Sequence, residues 1–343
     1  MGTDVDDALA LAFALRHPGI DLAAVTTVSG DTHVRGQIAA HLLALAGRDD
    51  IEVAAGIREP LLRTGRMFWA GHEGQGLLEE GEELPLSPRH AVDLLVESLQ
   101  AEETEVVTVG PQSNLAAALI KEPAIATRIP RLTVMGGFFH ACELEGRAVP
   151  PTVDYNLHAD PEAAVRALSA TIPTTFIPAD VTMRAWLLER DLRRLEQSKA
   201  PLCQALGRLV RVWSPFQRRL LEGAGFPPPD DLVAILHDPL AVATLVDRRF
   251  VKTEMLKTTI AVVDGYARTF IDPAAGREVE VVTDVDARAF AEFWVETVTG
   301  SRASYSPCFF HLGLRFSMKA AAPSWGLSSR NQSWWWNISA SMR

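Results

Sequence analysis

The sequence predicts an α/β fold in which a mostly parallel central sheet lies between layers of helices. Short runs that are apolar throughout recur along residues 1–300, and amphipathic stretches separate them. A strand with no polar side has no face for water, so it belongs in a sheet covered on both faces. Polar, glycine-containing turns follow several of these runs. In open α/β sheets, ligands bind beyond the carboxyl ends of the strands, so those turns are where function is sought.

The elements follow in order. Asp6 and Asp7 open a helix over residues 8–17, which Pro18 closes. Two carboxylates suit the partial positive charge of a first helical turn. Residues 22–28, rich in Val and Thr, read as a strand broken by Gly30-Asp31. Residues 32–46 read as a helix ending at Gly47, and residues 51–55 as a short strand. A helix over 90–100, a strand over 105–109 and a helix over 114–120 follow, then buried strands over 132–135 and 174–177. No internal repeat or linker divides this stretch, so residues 1–300 read as one domain.

Composition narrows the function. The chain has 343 residues and a formal net charge of −10, which gives no support to nucleic-acid binding. No apolar run approaches the length of about 18 residues needed to span a bilayer, and no signal peptide is visible. Cys142, Cys203 and Cys308 lack metal-ligand spacing. Three such cysteines point to a reducing cytoplasm rather than a disulfide framework or a zinc site. Residues 301–343 differ in kind: all 43 acidic residues precede them, yet half of the eight tryptophans lie here. Trp334, Trp335 and Trp336 are consecutive, and no helical or strand period organises the segment. The expectation is an atypical tail outside the fold.

Asp4, Asp6 and Asp7 place three carboxylates within four residues. They repel each other unless a cation or a helix terminus compensates. All-oxygen donors suit Ca²⁺ or Mg²⁺ rather than zinc; a solvated acidic helix start is the plainer alternative. The pair His237-Asp238 is weak alone, since such pairs often belong to polar loops.

Taken in order, the motifs resemble the inosine–uridine preferring nucleoside hydrolase family. The segment from Asp6 to Leu11 is similar to the family's Asp-Asp-Ala-Leu-Ala-Leu, and residues 26–31 to its Thr-Thr-Val-x-Gly-Asn, with Asp31 in place of Asn. The loop around Gly71-His72, the turn Gly110-Pro111-Gln112-Ser113-Asn114 and the turn Met135-Gly136-Gly137 continue the match. So do Asp154-Tyr155-Asn156 with Asp160-Pro161-Glu162-Ala163-Ala164, and His237-Asp238-Pro239-Leu240-Ala241. The resemblance spans residues 1–300.

It implies Ca²⁺-dependent hydrolysis of the N-glycosidic bond of ribonucleosides, with a small-molecule substrate and a homo-oligomer (dimer or tetramer). By the same resemblance Asp7, the Val109 carbonyl and Asp238 hold Ca²⁺. Asp6, Asn156 and Asp154 bind the ribose, and His237 protonates or polarises the departing base. An imidazole of ordinary pKa, about 6.5, carries such a proton near neutral pH. His72 either closes over the base or sits in a plain loop. Phe68 and Trp69 either stack on a base or belong to the core. Asp31 either strengthens the cation site or is a surface turn residue.

One departure stands out. The family motif begins with Asp-x-Asp at the end of a first strand, whereas this chain starts at Met1-Gly2. The expectation is an N-terminal truncation that removes a central strand and the general base. In the alternative, Asp4 takes the missing catalytic role. The rival functions are a non-catalytic ribose- or metal-binding remnant, or hydrolysis of a related N-riboside.

Overall fold

The computed structural model describes residues 1–62, 69–79, 81–144 and 146–301, and the backbone of 333–338. Strands and helices alternate at first: α1 (Asp6–Arg16), β1 (Asp21–Thr27), α2 (Thr32–Leu45), β2 (Glu52–Ala55), α3 (Ala91–Ala101), β3 (Glu105–Thr108) and α4 (Ser113–Lys121). A 3-10 turn leads to β4 (Leu132–Met135), the hairpin β5 (Cys142–Leu144) and β6 (Arg147–Val149), α5 (Tyr155–His158), α6 (Pro161–Leu168) and β7 (Thr174–Ile177). Next come α7 (Ala179–Thr182), β8 (Trp186–Leu188), α8 (Glu189–Gln197), α9 (Pro201–Gly223), β9 (Leu232–Ile235) and α10 (His237–Ala243). The strands β10 (Val251–Val263), β11 (Tyr266–Ile271) and β12 (Arg277–Val285), then α11 (Ala287–Thr299), are followed by β13 (Ser333–Ile338).

Nine strands form one sheet among the described residues, in the order β11-β10-β12-β7-β4-β3-β13-β1-β2. From β12 to β2 every pairing is parallel, while β10 runs antiparallel to both β11 and β12. The α/β reading therefore holds, with an antiparallel edge that apolar runs did not reveal. The reason is local: β10 carries Lys252, Glu254 and Lys257 among its apolar residues, and much of it is exposed. A strand wetted on one side alternates instead of running apolar.

Helices cover both faces. One apolar cluster joins α1, α2, α9, α10 and α11, and another joins α3, α4 and α6 on the opposite side. Helix α1 is buried from Asp6 to Ala14. A helix apolar nearly all round suits such an interior position.

Residues 301–343 were expected to lie outside the fold, yet residues 333–338 pair into the sheet. Strand β13 runs parallel between β1 and β3, with Trp335 opposite both Ala24 and Val106. Strand pairing is backbone chemistry, and Trp and Ile favour it. The expected loss of a central strand consequently leaves no gap in this sheet.

Two of the motif residues serve the scaffold. Asn114 donates to the Thr27 carbonyl at 2.9 Å and accepts from the Ile57 amide at 3.0 Å, stitching the ends of β1 and β2 together. Asp160 caps α6 through the Ala163 amide, accepts from Ser113 Oγ at 2.6 Å and from the Leu61 amide at 3.0 Å. It is fully buried.

Candidate active site

Helices α1 and α10 begin side by side, each with acidic residues in its first turn. Asp6, Asp7 and Asp238 are brought together there, with one carboxylate oxygen of each within 4.8 Å of the others. All three are buried, which excludes the solvated helix start as their role. Burial and mutual repulsion raise the pKa values of Asp6 and Asp238 well above the usual carboxylate range. The two helix termini offset only part of that repulsion. The Met1 amino group lies 3.0 Å from Asp7 Oδ2, both fully buried, and burial lowers its pKa to about 6. At pH 7 that amine is mostly neutral, so it offsets little of the cluster's charge. Asp7 Oδ1 and Asp238 Oδ2 have no hydrogen-bond partner among the described residues. Orphaned, buried carboxylate oxygens with no nitrogen or sulfur donor among them fit a hard divalent cation.

Val109 follows β3 and is buried; its carbonyl accepts from Asn156 Nδ2 at 3.3 Å. The same nitrogen reaches the Met135 carbonyl at 3.3 Å, while Asn156 Oδ1 is buried without a partner among the described residues. Asp154 caps α5 through the Leu157 amide at 3.0 Å. Burial raises its pKa to about 6, against the backbone N–H groups of Leu157, Gly137 and Asn156 that favour the anion. Its Oδ1 lies beside Gly136, where an added Cβ would come within 3.0 Å. Glycine at that turn is required for the approach.

His237 opens α10, next to Asp238, and is almost wholly buried. Its Nδ1 lies 2.7 Å from Thr182 Oγ1 at the end of α7. Burial lowers its pKa to about 4. The expectation of an imidazole with an ordinary pKa is corrected accordingly: the ring is neutral at pH 7, because desolvation disfavours the cation.

Of the other candidates, Asp4 adjoins the three carboxylates and helps raise the pKa values of Asp6 and Asp238, while Asp31 and His72 do other work. Asp4 Oδ1 accepts from the Val5 amide at 2.6 Å and the Asp6 amide at 3.3 Å, and burial raises its pKa to about 7. Asp31 caps α2, accepting from His33 and Val34 amides at 3.2 Å each. That is a structural task, performed at a partly exposed position. His72 Nε2 lies 2.8 Å from the Thr3 carbonyl, and its ring packs near Trp213 and Phe216. Glu73 accepts from Thr3 Oγ1 at 2.5 Å and from the Ala70 and Gly71 amides, docking this loop on the chain's start. Trp69 is 40 % exposed and so is not core; Phe68 and Cys308 lie outside the described residues. Sequence reasoning missed Thr182, although it lies in the short helix α7 just beyond the carboxyl end of β7, where the strand-end rule looks for ligands.

Residues 1–292 match the family described as inosine-uridine preferring nucleoside hydrolase. The chain belongs to that family. It is 30% identical over 306 residues to a pyrimidine-specific ribonucleoside hydrolase (RihA) of Klebsiella pneumoniae, covering 84% of this chain and 93% of the relative. A protein of the same description from Photobacterium profundum is 32% identical over 252 residues, 71% of this chain and 76% of its own. Among solved structures, a plant nucleoside hydrolase superposes with a TM-score of 0.74 at 25% identity, covering 87% of this chain and 97% of the other. The nucleoside hydrolase described here is therefore an N-glycosidase that acts on ribonucleosides. Among its described residues no helix is long and apolar enough to cross a membrane.

Proposed function

We propose that this nucleoside hydrolase cleaves ribonucleosides to ribose and free base in nucleoside salvage, with Ca²⁺ held by Asp7, Asp238 and the Val109 carbonyl. The observation that carries this reading is the buried group Asp6, Asp7 and Asp238, with His237 adjoining it in the chain. When bound, Ca²⁺ supplies a charge that orients the ribose hydroxyls and eases proton loss from water. Asp6 accepts a hydrogen bond from a ribose hydroxyl, and Asn156 and Asp154 bind the rest of the sugar. Asp4 is the proton acceptor for the attacking water, since a carboxylate with a pKa of about 7 suits that task at neutral pH.

We assign Nδ1 of His237 as the acceptor of the Thr182 hydroxyl proton. The imidazole proton then sits on Nε2, where a neutral ring donates it toward the departing base. His72 and Trp69 belong to the loop that covers the base, and Asp31 serves the sugar indirectly by fixing the start of α2. Residues 1–300 form the hydrolase domain, to which the described part of the tail adds β13. A homo-oligomer is supported by exposed Met255, Val262, Val263, Phe270 and Ile271 on β10 and β11. A cytoplasmic setting is supported by Cys142 and Cys203, both free thiols.

The test is reducing-sugar release from inosine, uridine and cytidine, with and without Ca²⁺, for the wild type and Asp4→Asn. Ribose release that needs Ca²⁺, and that Asp4→Asn lowers by about 10²-fold or more, is expected. Binding of ribose without turnover would make the chain a non-catalytic remnant. Full activity in Asp4→Asn would move the base elsewhere.

A further inference from the structure

A guanidinium buried beside the β1–α2 turn has no part in the chemistry above. Arg35, in the first turn of α2, is completely buried. Its Nε donates to the Ser29 carbonyl at 2.7 Å, and its Nη1 donates to the Met1 carbonyl at 2.8 Å. Its Nη2 has no hydrogen-bond partner among the described residues. Trp69 covers the group, with Arg35 Cζ 5.3 Å from the ring centroid. Burial lowers the Arg35 pKa, against the charges of Asp7 and Glu73 that favour the cation.

The two carbonyls belong to different loops. Met1 leads into the acidic segment that carries Asp4, Asp6 and Asp7. Ser29 ends the β1 side, held at φ +75°, a region that residues other than glycine rarely adopt. A rigid fork of donors spans both carbonyls at once, whereas an ammonium on a flexible stem does not hold two fixed directions. A surface position would have spared the desolvation cost of this cation. The geometry assigns Arg35 as a positioning residue that holds the acidic segment against the β1–α2 turn and so fixes where Asp6 meets the ribose. The assignment rests on the ribose reading of that cluster.

Arg35→Lys keeps the charge and removes the fork. Amide hydrogen exchange in residues 2–7 should rise at least tenfold while α3 and α4, on the far side of the sheet, stay protected. Displacements of this kind near 1 Å cost about 10²-fold in rate, so kcat should fall on that scale while KM rises by no more than about tenfold, in step with the weaker ribose binding. Ribose affinity, read by calorimetry, should fall about tenfold. A folded Arg35→Lys protein with wild-type exchange in residues 2–7, or with kcat and ribose affinity within twofold, overturns the assignment. If that variant fails to fold, Trp69→Ala removes the cover at a partly exposed position. It should speed exchange in residues 2–7, and unchanged exchange there overturns the assignment equally. A wild type that binds ribose but cleaves no nucleoside defeats the functional reading alone, because exchange and ribose affinity still decide this one.

Discussion

Burial of His237 between α7 and α10 decides which proton it can move. Its pKa of about 4 leaves the ring neutral, so in the proposed reaction it would donate from Nε2 instead of storing an extra proton. His237→Ala should slow natural nucleosides by about 10²-fold or more, the usual scale for acid assistance. A nitrophenyl riboside, whose leaving group needs no proton, should lose far less; equal losses would make His237 structural. Asp160 belongs to an equally recognisable motif but should behave in the opposite way. Its side chain satisfies the Ala163 and Leu61 amides and the Ser113 hydroxyl, so Asp160→Ala should cost about 1–3 kcal/mol of stability. KM measured below the melting transition should stay near wild type, and a large KM change would place Asp160 in the site. Asp6 and Asp7 were legible because carboxylates crowded at a helix start need compensation, whereas Asp238, alone in its segment, was legible only through the family's His-Asp-Pro-Leu-Ala motif. Thr182 and Arg35 were not, since a lone hydroxyl or guanidinium in sequence carries no sign of burial. The pKa of His237 was illegible for the same reason: it comes from neighbours distant in the chain.

At the scale of elements, apolar runs marked the parallel strands β1 to β4 and β7 well. They failed for β10 to β12, whose one-sided exposure mixes Lys and Glu into the strand. They failed again for β13, because a segment without acidic residues and without period reads as foreign to the domain. Its backbone nevertheless occupies the centre of the sheet, paired on both sides. Removing residues 302–343 would leave β1 and β3 each with an unpaired edge between two helical layers. Unmet backbone groups in such a place are costly. The truncated protein should melt lower by roughly 4 °C or more, given about 2–4 °C per kcal/mol for domains of 150–250 residues. A melting temperature equal to or above that of the full chain would show that β13 contributes nothing and that the tail stands apart.

In the proposed function the whole molecule draws on the convergence of segments distant in the chain. The starts of α1 and α10 meet at the three carboxylates, and Asn156 ties its segment to the carboxyl ends of β3 and β4; the order of the motifs in sequence announced these pieces. That convergence stores repulsion, because Asp6, Asp7 and Asp238 are buried together and only partly compensated. Two consequences oppose each other. Replacing one carboxylate relieves repulsion in the metal-free protein, yet it removes a ligand from the proposed cation site. Asp238→Asn should therefore melt at or above the wild-type temperature when both are metal-free. Calcium at about 100 times its Kd should add about 2.7 kcal/mol to the wild type, by linkage, and far less to the variant. Elemental analysis of the wild type should find about one Ca²⁺ per chain, in keeping with oxygen-only ligands. Zinc in that analysis, activity untouched by prolonged chelation, or an equal calcium-induced rise in both proteins would remove Asp238 from the site and Ca²⁺ from the mechanism.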